Sequence, residues 1–266
     1  MYQTTYHRPS SVDEAAAAFA KGSDSKYLAG GHTLIPVMKQ RLASPSDVID
    51  LGKIKELVGI EPTGDGIMIK AATTHHDVAT SDTVQKAIPA LAYLATLIGD
   101  PAVRHRGTIG GSLANNDPAA DYPAAVLALG ATVKTNKRSI SADDFFKGLF
   151  TTALEDGEII TAVSFPVHAK AGYSKFNHPA SRFALTAVFV ARTPAGDVRV
   201  AATGASQDGV MRVPAIEAAL KANWSAAAID GVTISADGLM SDIHGTSDYR
   251  ANLIKVMAQR AVTAAG

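Results

Sequence analysis

The sequence predicts an α+β protein, and two observations support this prediction. Through residue 165, short apolar strands alternate with segments whose apolar residues recur at helical spacing. After the Pro- and Gly-containing stretch 166–172, a strand hairpin is followed by two helices. We therefore expect a first domain at 1–168 and an α+β C-terminal domain at 172–266.

The elements of the first domain follow from capping and spacing. Ser11-Val12-Asp13-Glu14 has the capping-box pattern before an alanine-rich stretch, which predicts a helix at 11–20. The apolar stretch 81–97 reads as one or two helices broken near Pro89, and Gly99-Asp100-Pro101 ends it. The other predicted elements are strands at 26–29, 48–51, 67–71, 131–135 and 159–165, a helix at 33–42, and an apolar helix that opens at 117–123 and ends at 129.

The C-terminal domain is predicted from one turn signal and two periodic stretches. Pro194-Ala195-Gly196-Asp197 separates strands at 184–191 and 198–203, and helices follow at 213–222 and 248–264. The last helix and Trp224 are expected to contribute to the core rather than to an interface.

Composition excludes several classes of function. The formal net charge is zero, which gives no indication of a nucleic-acid or membrane surface. The N-terminus lacks an apolar signal region, and no apolar run is long enough to span a bilayer, so a cytoplasmic location is expected. Cysteine is absent, which excludes disulfides, iron–sulfur clusters and thiolate zinc sites on this chain. Redox chemistry here would need a bound organic cofactor.

Two glycine pairs are the strongest candidates for a binding site. They stand in Ala29-Gly30-Gly31-His32-Thr33 and in Thr108-Ile109-Gly110-Gly111-Ser112. Glycine lets backbone N–H groups approach a ligand closely, and successive inward N–H groups form an anion-binding nest. Two such nests could hold the two phosphates of a dinucleotide. Neither pair fits the G-x-G-x-x-G fingerprint and no P-loop is present, so plain turns remain the alternative at this point.

Other polar clusters have simpler explanations. His75-His76-Asp77 is expected to be the first turn of a helix rather than a metal site, and His32 a loop residue rather than an acid or base. Arg104-His105-Arg106 fits a phosphate or partner contact and a solvated loop equally well. Asp117 and Asp121 lie four residues apart, and we expect them to cap a helix and to bind a hydroxyl rather than to act as an acid–base pair.

The longer motifs around the glycine pairs resemble a known family. The run from Ala29 through Lys39 and the run from Ile98 through Asn115 are similar to the FAD-binding medium subunit of molybdenum hydroxylases. The similarity continues through Asp117-Pro118-Ala119-Ala120-Asp121-Tyr122-Pro123. That family includes aerobic carbon monoxide dehydrogenase and the relatives of xanthine dehydrogenase. Shorter similarities at Lys175 and at Tyr249-Arg250 extend the resemblance over nearly the whole chain.

The resemblance implies a fold and a cofactor site. The fold is a two-subdomain FAD-binding fold of the PCMH, or vanillyl-alcohol-oxidase-like, type, with subdomains at about 1–55 and 56–168. Asp121 is expected to contact the cofactor through a hydroxyl, Ile98 and Ile160 to lie beside the rings, and Lys175 to lie near the flavin, where a cation favours the anionic reduced form; a solvated surface lysine is the alternative for Lys175. The residues expected to wrap the pyrophosphate are Tyr27, Leu28, Ala29, Gly30, Gly31, His32, Thr33 and Leu34. The residues expected to form the second wall are Thr108, Ile109, Gly110, Gly111 and Ser112.

The resemblance also implies partners. It predicts a large subunit with the molybdenum cofactor and a small subunit with two [2Fe–2S] clusters, assembled with this chain as a dimer of heterotrimers. It also predicts an external electron acceptor. Two other functions remain open at this stage. One is a stand-alone flavin reductase of the enolpyruvyl-sugar reductase type, which needs a proton donor that the sequence does not offer. The other is a scaffold subunit without flavin.

Overall fold

A small parallel sheet opens the chain in the computed structural model, which describes residues 1–266. Its strand order is β1-β3-β2, and α1 packs Val12 and Ala15 against Ile49 and Leu51. Ser11 caps α1 by accepting a hydrogen bond from the Glu14 N–H at 3.2 Å, as the capping-box pattern predicts. The elements are β1 (Thr5–His7), α1 (Val12–Phe19), β2 (Ser25–Leu28), α2 (Leu34–Lys39) and β3 (Asp47–Asp50).

The second unit is an antiparallel sheet of five strands with helices on it. Its strand order is β4-β5-β10-β6-β7, so the last strand in sequence lies at the centre of the sheet. The elements are β4 (Ile60–Pro62), β5 (Gly66–Lys70), α3 (His75–Thr80), α4 (Asp82–Ala87), α5 (Pro89–Thr96), α6 (Pro101–Arg104), α7 (Ile109–Asn115), α8 (Tyr122–Ala128), β6 (Thr132–Thr135), β7 (Ser139–Ser141), α9 (Ala142–Phe145), the two-stranded ribbon β8 (Phe146–Gly148) and β9 (Thr151–Thr152), and β10 (Ile160–Pro166).

The C-terminal unit is a four-stranded antiparallel meander covered by a long helix. Its strands follow one another in the sheet, and the last helix lies across the first two of them. The elements are β11 (Lys170–Asn177), β12 (Ala184–Arg192), β13 (Val198–Ser206), β14 (Gly209–Arg212), α10 (Pro214–Ala222) and α11 (Ser247–Ala265). The α+β class predicted from the sequence is confirmed.

The largest hydrophobic core joins the second unit to the C-terminal sheet. This cluster runs from Ile67 to Ala201 and includes Phe189 of β12. Every residue of α8 is buried, because the helix lies between the five-stranded unit and strands β12 and β13. The core therefore crosses the stretch 166–172, where the sequence indicates a boundary.

The sequence pattern missed β11, and a glycine explains why. Gly172 interrupts the apolar pattern, and the structure requires it there: a Cβ at this position would lie 2.0 Å from the Ala261 carbonyl oxygen of α11. The strand thus gives up a β-forming side chain so that helix and sheet can pack closely. The sequence pattern also missed six short strands, because strands of two to four residues are too short to show an alternation of apolar and polar side chains. They are β1, β4, β7, β8, β9 and β14.

None of the helices combines the length and the apolar character needed to cross a bilayer.

Arg250 ties α11 to the C-terminal sheet. Its side chain is buried and donates hydrogen bonds to the carbonyl oxygens of Leu185 at 2.7 Å and Gly204 at 2.6 Å, and to Asp242 at 2.8 Å. Replacement by methionine leaves these acceptors without a donor, so R250M is expected to lower the free energy of unfolding by about 3 kcal/mol. Urea unfolding of the purified protein measures this loss. Arg260 on the same helix is exposed, and a loss of equal size in R260M would contradict the assignment.

Glu158 gives the fold a pH dependence at acid pH. Its burial opposes ionisation, but hydrogen bonds from Arg138, the Glu155 N–H and Thr135 lower the pKa of Glu158 to about 2. The stabilisation is complete above the ordinary pKa of 4.5 and is lost as pH falls toward about 2. E158Q should therefore lower the free energy of unfolding by about 1–3 kcal/mol at pH 7, and the difference from wild type should shrink below pH 4.5.

Urea unfolding at pH 7, 4 and 3 tests this expectation. Glu61 offers a control, because its ion pair with Lys70 is half exposed and such pairs contribute about 0–1 kcal/mol. A gap between wild type and E158Q that stays constant over this pH range would contradict the assigned role.

Candidate functional site

The first glycine motif presents a run of free backbone donors. Strand β2 ends at Leu28, and the chain then turns through Gly31, whose φ is +82°. The backbone N–H groups of Ala29–Thr33 make no hydrogen bond within the protein. Several adjacent N–H groups without acceptors form a site that an anion can occupy. This segment therefore has the donor geometry expected of a phosphate-binding turn.

The first glycine motif packs directly against the residues that lead into the second. A Cβ on Gly30 would lie 2.2 Å from the Arg106 carbonyl oxygen and 2.7 Å from the Cα atom of Gly107, so only glycine fits between these backbones. A Cβ on Gly111 would lie 3.4 Å from the Ala29 Cβ. Residues far apart in the sequence thus form two sides of one site.

The second motif uses its amides differently from the prediction. Thr108 caps α7, and its hydroxyl accepts from the Gly111 N–H at 3.1 Å. The N–H groups of Ile109 and Gly110 donate to carbonyl oxygens of Thr73 and Ala71, and that of Ser112 to Thr108. These four amides are therefore not available, and the expectation of a second nest of free N–H groups was wrong. What the motif offers is a wall without side chains at its glycines and the Ser112 hydroxyl, which has no partner in the protein.

Lys175 and Asp121 form a buried ion pair. Their side chains are 1% and 5% exposed, and Lys175 Nζ lies 2.9 Å from Asp121 Oδ2. The Tyr173 hydroxyl donates to the other oxygen of Asp121. Burial raises the pKa of Asp121, while Lys175 and Tyr173 oppose that rise. Lys175 is thus not a solvated surface lysine, and Asp121, which does not cap α8, is held by partners from β11.

Ile98 lies beside this ion pair, and Ile160 lies behind the second motif. Lys175 Nζ donates to the Leu97 carbonyl oxygen at 3.2 Å, which brings the ammonium next to Ile98. Ile160 is buried at the start of β10. The following residue, Thr161, accepts from the Ala71 N–H, and the Ala71 carbonyl accepts from Gly110. Both isoleucines therefore border segments of the site.

Three histidines lie where the sequence analysis expects them, and none of them belongs to a cluster that could hold a metal ion. His75 and His76 lie in the first turn of α3, and His32 is exposed in the loop of the first motif. Burial, together with the charges of His32 and Arg104, lowers the pKa of His75 to about 4, so its ring is neutral at pH 7. The ring of His76 stacks on the ring of His105, with centroids 4.0 Å apart. Asp117 accepts from the Ala119 N–H at 2.9 Å and so shapes the turn before α8.

Sequence reasoning missed two residues of this site. Tyr173 had no signal because β11 itself was not predicted. Arg104 was singled out only as part of a basic tripeptide, yet it donates to two carbonyl oxygens beside Ile98. Tyr173 bonds to a residue far away in the sequence and Arg104 bonds to backbone oxygens, and a sequence pattern reveals neither kind of contact.

The chain matches a family model over its first two thirds. The model describes the FAD-binding domain in molybdopterin dehydrogenases, and it covers residues 2–168. Both glycine motifs and Asp121 fall within this match.

Curated relatives match over nearly the full length. The carbon monoxide dehydrogenase medium chain of Afipia carboxidovorans is 37% identical, with 97% of this chain and 94% of the relative covered. The nicotine 6-hydroxylase medium subunit of Paenarthrobacter nicotinovorans is 36% identical, with 98% and 96% covered.

Solved structures agree with these relatives. A chain of the reconstituted CO dehydrogenase from Oligotropha carboxidovorans superposes with a TM-score of 0.89 at 33% identity, with 99% of this chain and 97% of that chain covered. A chain of quinoline 2-oxidoreductase from Pseudomonas putida 86 gives a TM-score of 0.83 at 30% identity, with 99% and 96% covered. The resemblance inferred from the motifs is thereby confirmed, and the chain belongs to the FAD-binding medium subunits of the molybdopterin dehydrogenases.

Proposed function

We propose that this protein binds FAD between its two glycine motifs and passes electrons within a heterotrimeric molybdenum hydroxylase. The observation that carries this proposal is the contact of Gly30 with Arg106–Gly107, beside the free amides of Ala29–Thr33. The pyrophosphate of FAD is doubly negative, and backbone N–H groups bind such a group without a fixed cation. The donors present therefore fit the cofactor.

The remaining site residues have distinct roles in this proposal. The segment 27–34 would bind the diphosphate, and the segment 108–112 would form the facing wall, where the Ser112 hydroxyl is free to bond a polar group. Ile98 and Ile160 exclude water from the ring end. FAD, when bound, supplies two-electron redox chemistry that no side chain of this protein can supply. The buried ammonium of Lys175 would supply a positive charge that favours the anionic reduced form of a bound flavin.

Partner subunits complete the proposed complex. The absence of cysteine means that iron–sulfur clusters must be held by another chain. A small [2Fe–2S] subunit would deliver electrons, a large molybdenum subunit would oxidise the substrate, and an external acceptor would receive the electrons. Relatives include medium chains of carbon monoxide and glyceraldehyde dehydrogenases, and in the proposed complex the large subunit chooses the substrate. A dimer of heterotrimers is the assembly proposed.

The G111V variant tests the cofactor site. Its two γ-methyl groups would project between the two motifs, because a Cβ at this position already lies 3.0 Å from the Thr108 hydroxyl and 3.4 Å from the Ala29 Cβ. We expect wild type, purified with its partner subunits, to carry about one FAD per chain by absorbance and G111V to carry less than about a tenth of that, a loss of about 1.4 kcal/mol or more in binding.

Gly64 provides the matched control, since no atom lies within 4 Å of a Cβ built there. G64V should keep its flavin. A folded wild-type complex without FAD would refute the proposed function and favour a scaffold. Full flavin in G111V would refute only the motif assignment, and reduction of a small substrate by the isolated chain with NADPH would favour a stand-alone reductase.

Removal of the Lys175 ammonium separates the role of the ion pair in folding from its role toward flavin. K175M leaves the Asp121 carboxylate buried without its counter-ion, so we expect the free energy of unfolding to fall by about 3–5 kcal/mol. The double variant D121N/K175M removes both charges and should recover much of that loss. Urea unfolding measures stability, and flavin fluorescence measures the affinity for FAD.

The two measurements should diverge in the double variant. Stability recovers, whereas the affinity for FAD stays reduced, because the charge that faces the cofactor is absent. Wild-type FAD affinity in D121N/K175M would show that the pair serves the fold alone.

A further inference from the structure

The turn Leu97–Gly99 is held by cations on both sides. Lys175 Nζ donates to the Leu97 carbonyl oxygen at 3.2 Å. Arg104 Nη1 donates to the carbonyl oxygens of Ile98 and Gly99, each at 3.1 Å. Three consecutive carbonyl oxygens thus accept from charged side chains, one from β11 and one from α6. Charge-assisted hydrogen bonds are stronger than neutral ones, so this turn is fixed more firmly than an ordinary surface turn.

Arg104 does not serve as a cap of its own helix. It is the last residue of α6, and its side chain reaches back to the turn that precedes the helix. Gly99, with φ at +53°, packs against Val103, where a Cβ would lie 2.7 Å from the valine side chain. The segment 97–104 is therefore closed on itself by the guanidinium.

The same segment continues into the contact between the glycine motifs. The Gly107 N–H donates to the Val103 carbonyl oxygen at 2.7 Å, and the backbone of Arg106–Gly107 touches Gly30. A displacement of the turn Leu97–Gly99 would be transmitted to this contact through only a few residues. Arg104 thus connects the Ile98 end of the site to its phosphate end.

The charge of Arg104 is not neutralised by the protein. No carboxylate lies within 4.0 Å of its guanidinium, although the side chain is partly buried. Its charge also contributes to the lowered pKa of His75, and the ring of His75 lies 2.5 Å from where a Cβ on Gly107 would stand. An uncompensated cation in a partly buried position is favourable when an anionic ligand binds nearby.

We propose that Arg104 is a positioning residue for FAD, which holds the turn Leu97–Gly99 as a wall of the site and directs an unpaired positive charge toward the cofactor. This inference rests on the proposed function. It assigns a role to a cation that lies outside both glycine motifs. It also divides the basic tripeptide, because Arg106 is exposed and its side chain makes no hydrogen bond.

Three variants of the full-length chain, purified with its partner subunits, test the role of Arg104. R104M removes both charge and hydrogen bonds, R104K keeps the charge but not the planar fork, and R106M is the matched control. The dissociation constant of FAD is measured by flavin fluorescence after the cofactor has been removed, and the midpoint potential by titration of the reloaded protein. We expect R104M to weaken FAD binding at least tenfold, R104K to weaken it less, and R106M to stay within twofold of wild type.

The midpoint potential of the flavin distinguishes an electrostatic effect of Arg104 on the cofactor from a purely structural role. If R104M weakens binding of reduced FAD tenfold more than binding of oxidised FAD, the two-electron potential falls by about 30 mV. R104K should keep the wild-type potential because its charge remains. If R104M does not fold, the R104K variant provides the test. A weaker affinity for FAD with an unchanged midpoint potential supports the proposal, and an unchanged affinity overturns it.

The opposing outcomes are equally definite. Wild-type affinity in R104M, equal losses in R104M and R106M, or weakened binding in R104M with an unchanged potential would each overturn the proposal. A wild-type protein that takes up no FAD would instead refute the proposed function itself, so the two failures are distinguishable.

Discussion

The backbone contact at Gly30 is the constraint on which the site depends. A carbonyl oxygen and a Cα atom from the second unit occupy the space that any side chain at this position would fill. Because the contact is between backbones, it fixes the distance between the two units without relying on side-chain conformations. The free amides of the first motif are thereby held opposite the second motif. A cofactor that spans both motifs needs this spacing before it binds, since ordering the two units upon binding would reduce its affinity.

The C-terminal sheet takes part in the same arrangement through its first strand. Strand β11 supplies Lys175 and Tyr173, which hold Asp121 at the start of α8, and Lys175 also reaches the turn before α6. Two side chains of one strand thus contact both segments that flank the second glycine motif. The fold uses the C-terminal unit to complete the polar interior of the flavin unit. The full-length relatives, which match past residue 168, cover this strand as well.

Local patterns predicted what depends on local interactions. The capping box at Ser11 and the break at Pro89 gave helices close to their observed bounds, because caps and proline act within a few residues. The prediction that the two glycine motifs meet depended on the resemblance to a family, since no periodicity relates residues so far apart in the sequence. The predictions that were wrong concern groups whose hydrogen-bond partners lie far away in the sequence. The amides of the second motif bond to Ala71 and Thr73, and Lys175 is buried because it pairs with Asp121. Such partners cannot be predicted from the neighbouring residues in the sequence.

The burial of α8 between two sheets has a mechanical consequence. Its apolar surface belongs at once to the flavin unit and to the C-terminal meander, so neither layer can separate without exposing it to water. Separation of the meander from the flavin unit and loosening of α8 are therefore coupled in free energy. A ligand that binds only the closed arrangement would stabilise this interface together with its own site, as linkage requires.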